Sequence, residues 1–415
     1  MCPFFHGSDL PSPYKNTIAM NGTPFKPQEE YRNKEVQKLI FSRNTSPLYK
    51  SVNFYIHPVN WNSTRYKIYT LPGRPAMKLA DVFFQNSSLY GSMNDCSGLW
   101  LFACFNDDCY IESLRAGFMQ GFYEGIDYGL ESIHGDPNKV TVRLEILTKE
   151  GLYTYIDQRF GRNDFRHSVD GMNMSIRNRL KIMQTGDSEV VWSMIDTTGD
   201  FGITLNLRAH SYHLYPTLVL PNNLSNMVVS PDVDVSGVVT VKGEAFDVSG
   251  MGALDQNWSR KIHSESAQRY GYSHYEPIYW NNEFASVLYF IVSANGTVYL
   301  QDLILTMHRG KNIVFHEVAL EHTSFEEING ISIPVKYRVH ARIENIEIDY
   351  VVDIIPTKTL AVSGYPEMLL KTWVPNMPLI SARGTVREHS GQGTKETSIV
   401  GKGILEFILV DLDPS

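Results

Sequence analysis

Alternation of apolar and polar residues with a period of two runs through most of this chain. In Lys139–Leu147 (KVTVRLEIL), Val140, Val142, Leu144 and Ile146 share one face and Thr141, Arg143 and Glu145 the other, the pattern of a half-buried strand. Phe201–Arg208 (FGITLNLR) repeats it with Phe201, Ile203, Leu205 and Leu207. From Val335 to Asp353 the alternation runs from Val335 to Ile343, breaks at Glu344-Asn345 and resumes at Ile346. That stretch reads as either a tight hairpin or one long bent strand. Asn295-Gly296, between ASVLYFIVSA and TVYLQDLILTM, has the residues of a type I′ hairpin turn, because both tolerate positive φ. The chain closes on another strand, GKGILEFILVD.

Helical periodicity is scarce. Gln28–Phe41 (QEEYRNKEVQKLIF) and Ile111–Phe122 (IESLRAGFMQGF) are the two candidates. Many short strands with Gly, Asn and Pro turns every ten residues or so predict an all-β protein of sandwiches or barrels with few helices. A Pro- and Asn-rich stretch, Leu218–Gly237 (LVLPNNLSNMVVSPDVDVSG), reads as a link between two β domains, residues 1–230 and 235–415. No repeat period suggests a propeller or solenoid.

Composition narrows the function classes. The 415 residues carry a net charge of −8 with no dense Lys/Arg stripe, so a nucleic-acid partner is not expected. No apolar run approaches the roughly 18 residues that span a bilayer. The opening residues, MCPFFHGSDLPSPYKN, lack the charged start and apolar core of a signal peptide, and a cytoplasmic location is expected. The alternative is a secreted glycoprotein, because eight sequons begin at Asn21, Asn44, Asn62, Asn86, Asn173, Asn223, Asn257 and Asn295. Cys2, Cys96, Cys104 and Cys109 form neither a disulfide framework nor a zinc spacing and read as free thiols. There is no dinucleotide fingerprint, phosphate-binding loop, zinc-protease helix or nucleophile elbow. No metal site and no cofactor are expected.

One segment stands apart. Val238–Val248 (VVTVKGEAFDV) reads as strand, Lys-Gly-Glu turn, strand, and is followed by Ser249-Gly250-Met251-Gly252 and then Ala253-Leu254-Asp255-Gln256-Asn257-Trp258. The glycines suit a backbone that bends as the strand leaves the sheet. Asp255 and Asn257 would then bond neighbouring loops or a ligand, and Trp258 would fill space beside them.

This segment resembles the signature of the lipocalin-like proteins related to carotenoid hydratases (hydroxyneurosporene synthase) and to fungal Diels–Alderases of polyketide biosynthesis. These carry a short hairpin, glycines and an Asp-(His/Lys)-(Asn/Gln)-Trp motif in their second half. Tyr275 and Trp280, the Asn295-Gly296-Thr297 hairpin, Tyr365-Pro366-Glu367 and Trp373 follow in the same order. The resemblance spans roughly residues 235 to 415. In the first half the family's aromatic strand corresponds to Ser97–Phe105 (SGLWLFACF), which holds Trp100.

The resemblance implies an N-terminal β-sandwich-like domain and a C-terminal lipocalin-like barrel around a hydrophobic small-molecule substrate. It places Asp255, Asn257 and Glu367 in catalysis, and Trp258, Gln256, Tyr275, Trp280, Tyr365, Trp373 and Trp100 against the substrate. The hydratase members have histidine where this chain has Gln256, and an amide cannot serve as a proton donor near neutral pH. A cofactor-free cyclase of secondary metabolism, a Diels–Alderase-like pericyclase, is therefore expected. The alternatives are a hydratase, lyase or isomerase using a carboxyl such as Asp255, Glu276 or Glu367, and a non-catalytic lipocalin-like carrier. The oligomeric state is not legible in the sequence.

Overall fold

The computed structural model describes residues 96–411, apart from short interruptions at 128–129, 168–172, 187, 212, 221–222, 260–269, 282–283, 294–297, 308–310, 317, 329–330, 356–362, 365–370 and 374–378. The candidate helix Gln28–Phe41, the Asn295-Gly296 turn and the residues Tyr365 and Glu367 lie outside the described residues. Among the described residues the architecture is strand, with a single 3-10 turn at Arg162–Asp164 and no helix long and apolar enough to cross a membrane.

The first sheet is built mainly from consecutive strands. They begin with β1 (Cys96–Phe105), β2 (Ile111–Asp127), β3 (Leu130–Thr148) and β4 (Gly151–Gly161). Then come β5 (Phe165–His167), β6 (Met174–Ile176), β7 (Leu180–Gln184) and β8 (Glu189–Ile195). The run closes with β9 (Gly202–Ala209), β10 (His213–Leu220), β11 (Asn223–Val241) and β12 (Glu244–Ser259). The second sheet takes β13 (Tyr270–Trp280), β14 (Phe284–Ser293), β15 (Val298–Met307), β16 (Lys311–Phe315), β17 (Val318–Ile328), β18 (Ile331–Ile343) and β19 (Ile346–Ile354). After β20 (Ser363–Gly364), which returns to the first sheet, it adds β21 (Lys371–Trp373), β22 (Leu379–Ser390), β23 (Gly393–Ile404) and β24 (Glu406–Asp411).

The thirteen-stranded first sheet runs β20-β3-β2-β1-β12-β11-β9-β8-β7-β6-β5, with β4 on β3 and β10 on β11. It curls into a half-barrel, while the eleven-stranded second sheet curls into a nearly closed barrel. The fold is thus all-β with two β domains, as the alternation predicts.

Three expectations are corrected. Ile111–Phe122 is not a helix but the start of β2, where Leu114, Ala116 and Phe118 are buried on one face. Pairing with β1 and β3 on both sides overrides its local helix propensity. Leu218–Gly237 is not a link: its described residues belong to β10 and the long β11, which pair antiparallel. The chain passes between sheets later, after Ser259. Thirdly, Asp255–Trp258 does not mark a strand end. β12 runs on to Ser259, hydrogen-bonded to β1 on one side and β11 on the other. Its glycines lie within this pairing and let it come close to β1, since a Cβ at Gly250 would fall 2.1 Å from the Cys104 carbonyl oxygen.

The Lys242-Gly243 turn between β11 and β12 has φ of 54° and 80°, the geometry of a two-residue I′ hairpin. Glu344-Asn345 resolves likewise into a tight hairpin, with Ile343 opposite Ile346 and Glu344 at φ 48°.

Apolar side chains form three cores. One fills the concave side of the first sheet, from Leu99 and Leu101 through Trp192 to Leu254. A second fills the barrel, around Trp280, Leu288, Tyr337 and Tyr350. The third lies between the sheets, where Trp100, Phe102, Cys104 and Ala253 meet Tyr275, Tyr279, Tyr289 and Ile304. Two staples cross there. Tyr279 donates its hydroxyl to the Phe102 carbonyl at 3.0 Å, and Lys402 reaches the Phe105 carbonyl and, at 2.6 Å, Asp107 Oδ1.

Candidate active site

Register places the polar residues of this third core in rows. Val229, Asp255, Trp100, Gly117 and Arg143 are successive cross-strand neighbours on β11, β12, β1, β2 and β3. One pleat further along, Phe102, Arg115 and Glu145 form a second row. Strand alternation turns Leu114, Ala116, Leu144 and Ile146 into the concave core and leaves Arg115, Arg143 and Glu145 for the opposite face. That face is covered by the second sheet, so all three charged residues are buried.

Burial of charge is tolerable here because the charges are matched. Arg115 Nε lies 2.8 Å from Glu145 Oε2, Arg143 Nη2 lies 2.5 Å from Glu145 Oε1, and Arg115 Nη1 reaches Glu406 Oε2 of β24 at 3.1 Å. Burial works against ionisation of Glu145, but the two guanidinium groups outweigh it and hold its carboxyl below the usual range. Arg115 also stacks over the Trp100 ring, 5.0 Å from its centroid. The indole can lie there because residue 117 is glycine: a Cβ would fall 2.4 Å from the ring.

Asp255 completes the site. It is 7% exposed, and its Oδ1 has no hydrogen bond of proper geometry among the described residues. Burial, reinforced by the charge of Glu406, pushes its pKa up to about 8, and the Tyr289 hydroxyl beside it offsets this only in part. Near neutral pH Asp255 is therefore mostly a neutral carboxylic acid, able to donate its proton. Around it stand aromatic rings: Tyr275 packs on Phe102 with centroids 4.9 Å apart and on Tyr289 at 4.7 Å. Burial, and then the neighbouring acids, push the Tyr275 hydroxyl well above its usual range. Glu406, with 31% of its side chain exposed, marks where this face meets solvent. Cys104 is no nucleophile, since burial pushes its thiol up to about 12.

The structure brings Asp255, Tyr275 and Trp100 together and separates others from them. Gln256, next along β12, is buried and pairs with Leu99, whose side chain belongs to the concave core, so it faces away from Asp255. Trp280 lies in the barrel core, donating to Ser286 Oγ at 2.8 Å and packed edge-on against Tyr350. Glu276 is there too, fully buried and accepting hydrogen bonds from Tyr337, from Tyr350 at 3.0 Å and from His274 at 3.0 Å. With its carboxylate enclosed by three partners, Glu276 has little left to offer a substrate. Asn257 and Trp258 continue β12 opposite Gly98 and Ser97, and Trp373 ends β21 opposite Leu409.

Arg115, Arg143, Glu145, Tyr289 and Glu406 are the residues that sequence reasoning missed. A signal for the first three was present in SGLWLFACF, an apolar run without alternation. Such a run marks a strand buried on both faces, and a charged residue on a neighbouring strand then has to be buried as well.

A separate open groove of about 340 Å³ lies at the other end of the first sheet, lined by Arg177, Arg179, Lys181, Ile195 and Thr204. Arg177 is engaged by Asp164 at 2.8 Å and Arg179 by the Asp196 carbonyl at 2.7 Å. It holds no acid comparable to Asp255, and the chemistry therefore points to the intersheet face.

No protein-family model matches the chain, and no relative is found among curated proteins. Solved structures do match. Kievitone hydratase from Nectria haematococca superposes with a TM-score of 0.53 at 11% identity, over 86% of this chain and 98% of that one. The AttH protein of Nitrosomonas europaea gives 0.50 at 12% identity, over 82% and 98%. CghA bound to Sch210972 gives 0.50 at 11% identity, over 76% and 89%. The chain shares their lipocalin-like fold. In this lipocalin-like pair of sheets, the aromatic strand β1 and the glycine-rich strand β12, far apart in sequence, are direct neighbours.

Proposed function

We propose that the protein is a cofactor-independent cyclase, of the Diels–Alderase-like kind, acting on a hydrophobic polyene with its reacting end at Asp255. The observation that carries this reading is a buried carboxyl group, its pKa raised by burial, whose Oδ1 has no hydrogen-bond partner among the described residues and which sits among the aromatic rings packed between the sheets. Donating to a substrate carbonyl, Asp255 would draw electron density from the attached alkene. Trp100, Phe102 and Tyr275 would hold the chain folded so that diene and dienophile meet. The neighbouring folds include kievitone hydratase, which supports an enzyme on this scaffold.

The same acid supports a second reading, hydration of an apolar alkene with Asp255 as the proton donor to carbon, a role that Gln256 cannot fill. Incubating the protein with polyenes that carry a conjugated carbonyl, in water and in deuterium oxide, separates the two. A cyclase gives a product of the substrate's mass with no deuterium on carbon. A hydratase adds one water and one carbon-bound deuterium. Polyene binding without any product would leave a carrier and overturn both.

A further inference from the structure

Glu406 stands outside both readings, yet it touches the site from the opposite sheet. It is the cross-strand neighbour of Tyr275, its carboxylate takes Nη1 of Arg115, and Arg115 lies over Trp100, the cross-strand neighbour of Asp255. We propose that Glu406 is a positioning residue that fixes Arg115 over Trp100 and sets the protonation of Asp255. The proposal rests on reading Asp255 as the donor of the site.

The argument is one of charge placement. The titratable groups on this face are Arg115 on β2, Arg143 and Glu145 on β3, Tyr275 and Tyr279 on β13, Tyr289 on β14, Glu406 on β24, and Cys104 on β1 and Asp232 on β11, which both act on Tyr279; Trp100 and Val229 are the cross-strand neighbours of Asp255 itself. Glu145 is enclosed by two guanidinium groups, so its charge is locally cancelled. Glu406 takes one N–H of an arginine that Glu145 already shares, and its charge is less fully compensated. It disfavours a second negative charge on Asp255, adding to the larger effect of burial. Removing the Glu406 carboxylate also takes one acceptor from Arg115, which keeps its pairing with Glu145.

The test is an infrared titration of the ligand-free, full-length protein, following the carbonyl stretch of protonated Asp255, assigned by its loss in Asp255→Asn. In the parent the band persists through neutral pH and fades on the alkaline side. In Glu406→Gln, which keeps shape and removes charge, its midpoint falls by about one pH unit or more. Glu406→Asp, which keeps the charge, restores most of that shift. An unchanged midpoint in Glu406→Gln overturns the proposal while leaving Asp255 as the donor. A parent band already lost at pH 5 removes the donor reading and this proposal with it.

Discussion

An aspartic acid buried beside Tyr275 and Tyr289 folds most easily when it carries its proton, and this ties stability to pH. The folded pKa of Asp255 is about 8, above its ordinary value of 3.8. The folded protein therefore binds this proton more tightly than the unfolded chain, and the benefit is full below about pH 4 and lost as pH rises towards 8. Asp255→Asn removes the titration while keeping the shape. Its stability advantage over the parent should grow between pH 5 and pH 9 by at most about 4 kcal/mol. Urea denaturation at both pH values checks this; parallel pH dependences would mean that Asp255 is ionised in the folded protein. Gly117 gives a second test, because a Cβ there collides with the Trp100 ring and with the Leu99 carbonyl oxygen. Gly117→Ala should cost about 1–3 kcal/mol and weaken quenching of Trp100 fluorescence by a bound polyene. Asp255 stood out in the sequence as an acid after a glycine-rich approach, whereas Trp100 and Tyr275 entered only through the family resemblance. Glu406 and Tyr289 did not stand out, since only tertiary contact turns an ordinary strand residue into a neighbour of Asp255.

At the scale of the element, β12 is two surfaces on one backbone. Asp255 looks across to the second sheet and Gln256 into the concave core, where Gln256 Oε1 has no hydrogen-bond partner among the described residues. Gln256→Met should therefore leave stability unchanged or raise it by about 1 kcal/mol, since an unpaired buried acceptor is removed. Turnover should survive, because the residue does not share the face of Asp255; a folded variant without activity would put the reacting end of the substrate on the wrong side of the strand. Alternation predicted β3 and β9 from local spacing alone, and left Val335–Asp353 open between one long bent strand and the hairpin that β18 and β19 form. It failed for β2, whose IESLRAGFMQGF mixes both periods, and for β10 and β11, whose Pro and Asn residues sit within paired strands. At those places pairing partners far away in the chain decided the structure.

For the whole molecule, the all-β class was legible and the mating of the sheets was not. The period-two pattern reports which side of a strand is apolar, but it does not say that the polar side of β2 and β3 will be covered by β13 and β24. Arg115–Glu406, Tyr279–Phe102 and Lys402–Phe105 are long-range contacts, and they make this covered face the place where charge, an acid and aromatic rings coincide. On the proposed function, substrate reacts at this face and not in the barrel interior. A crystal structure of the full-length protein soaked with a conjugated polyenone tests it most directly. The polyene should lie against Trp100, Phe102 and Tyr275, with its carbonyl oxygen within hydrogen-bonding distance of Asp255. A ligand seated inside the barrel beside Glu276, or in the groove at Arg177, with the intersheet face unchanged, would contradict it.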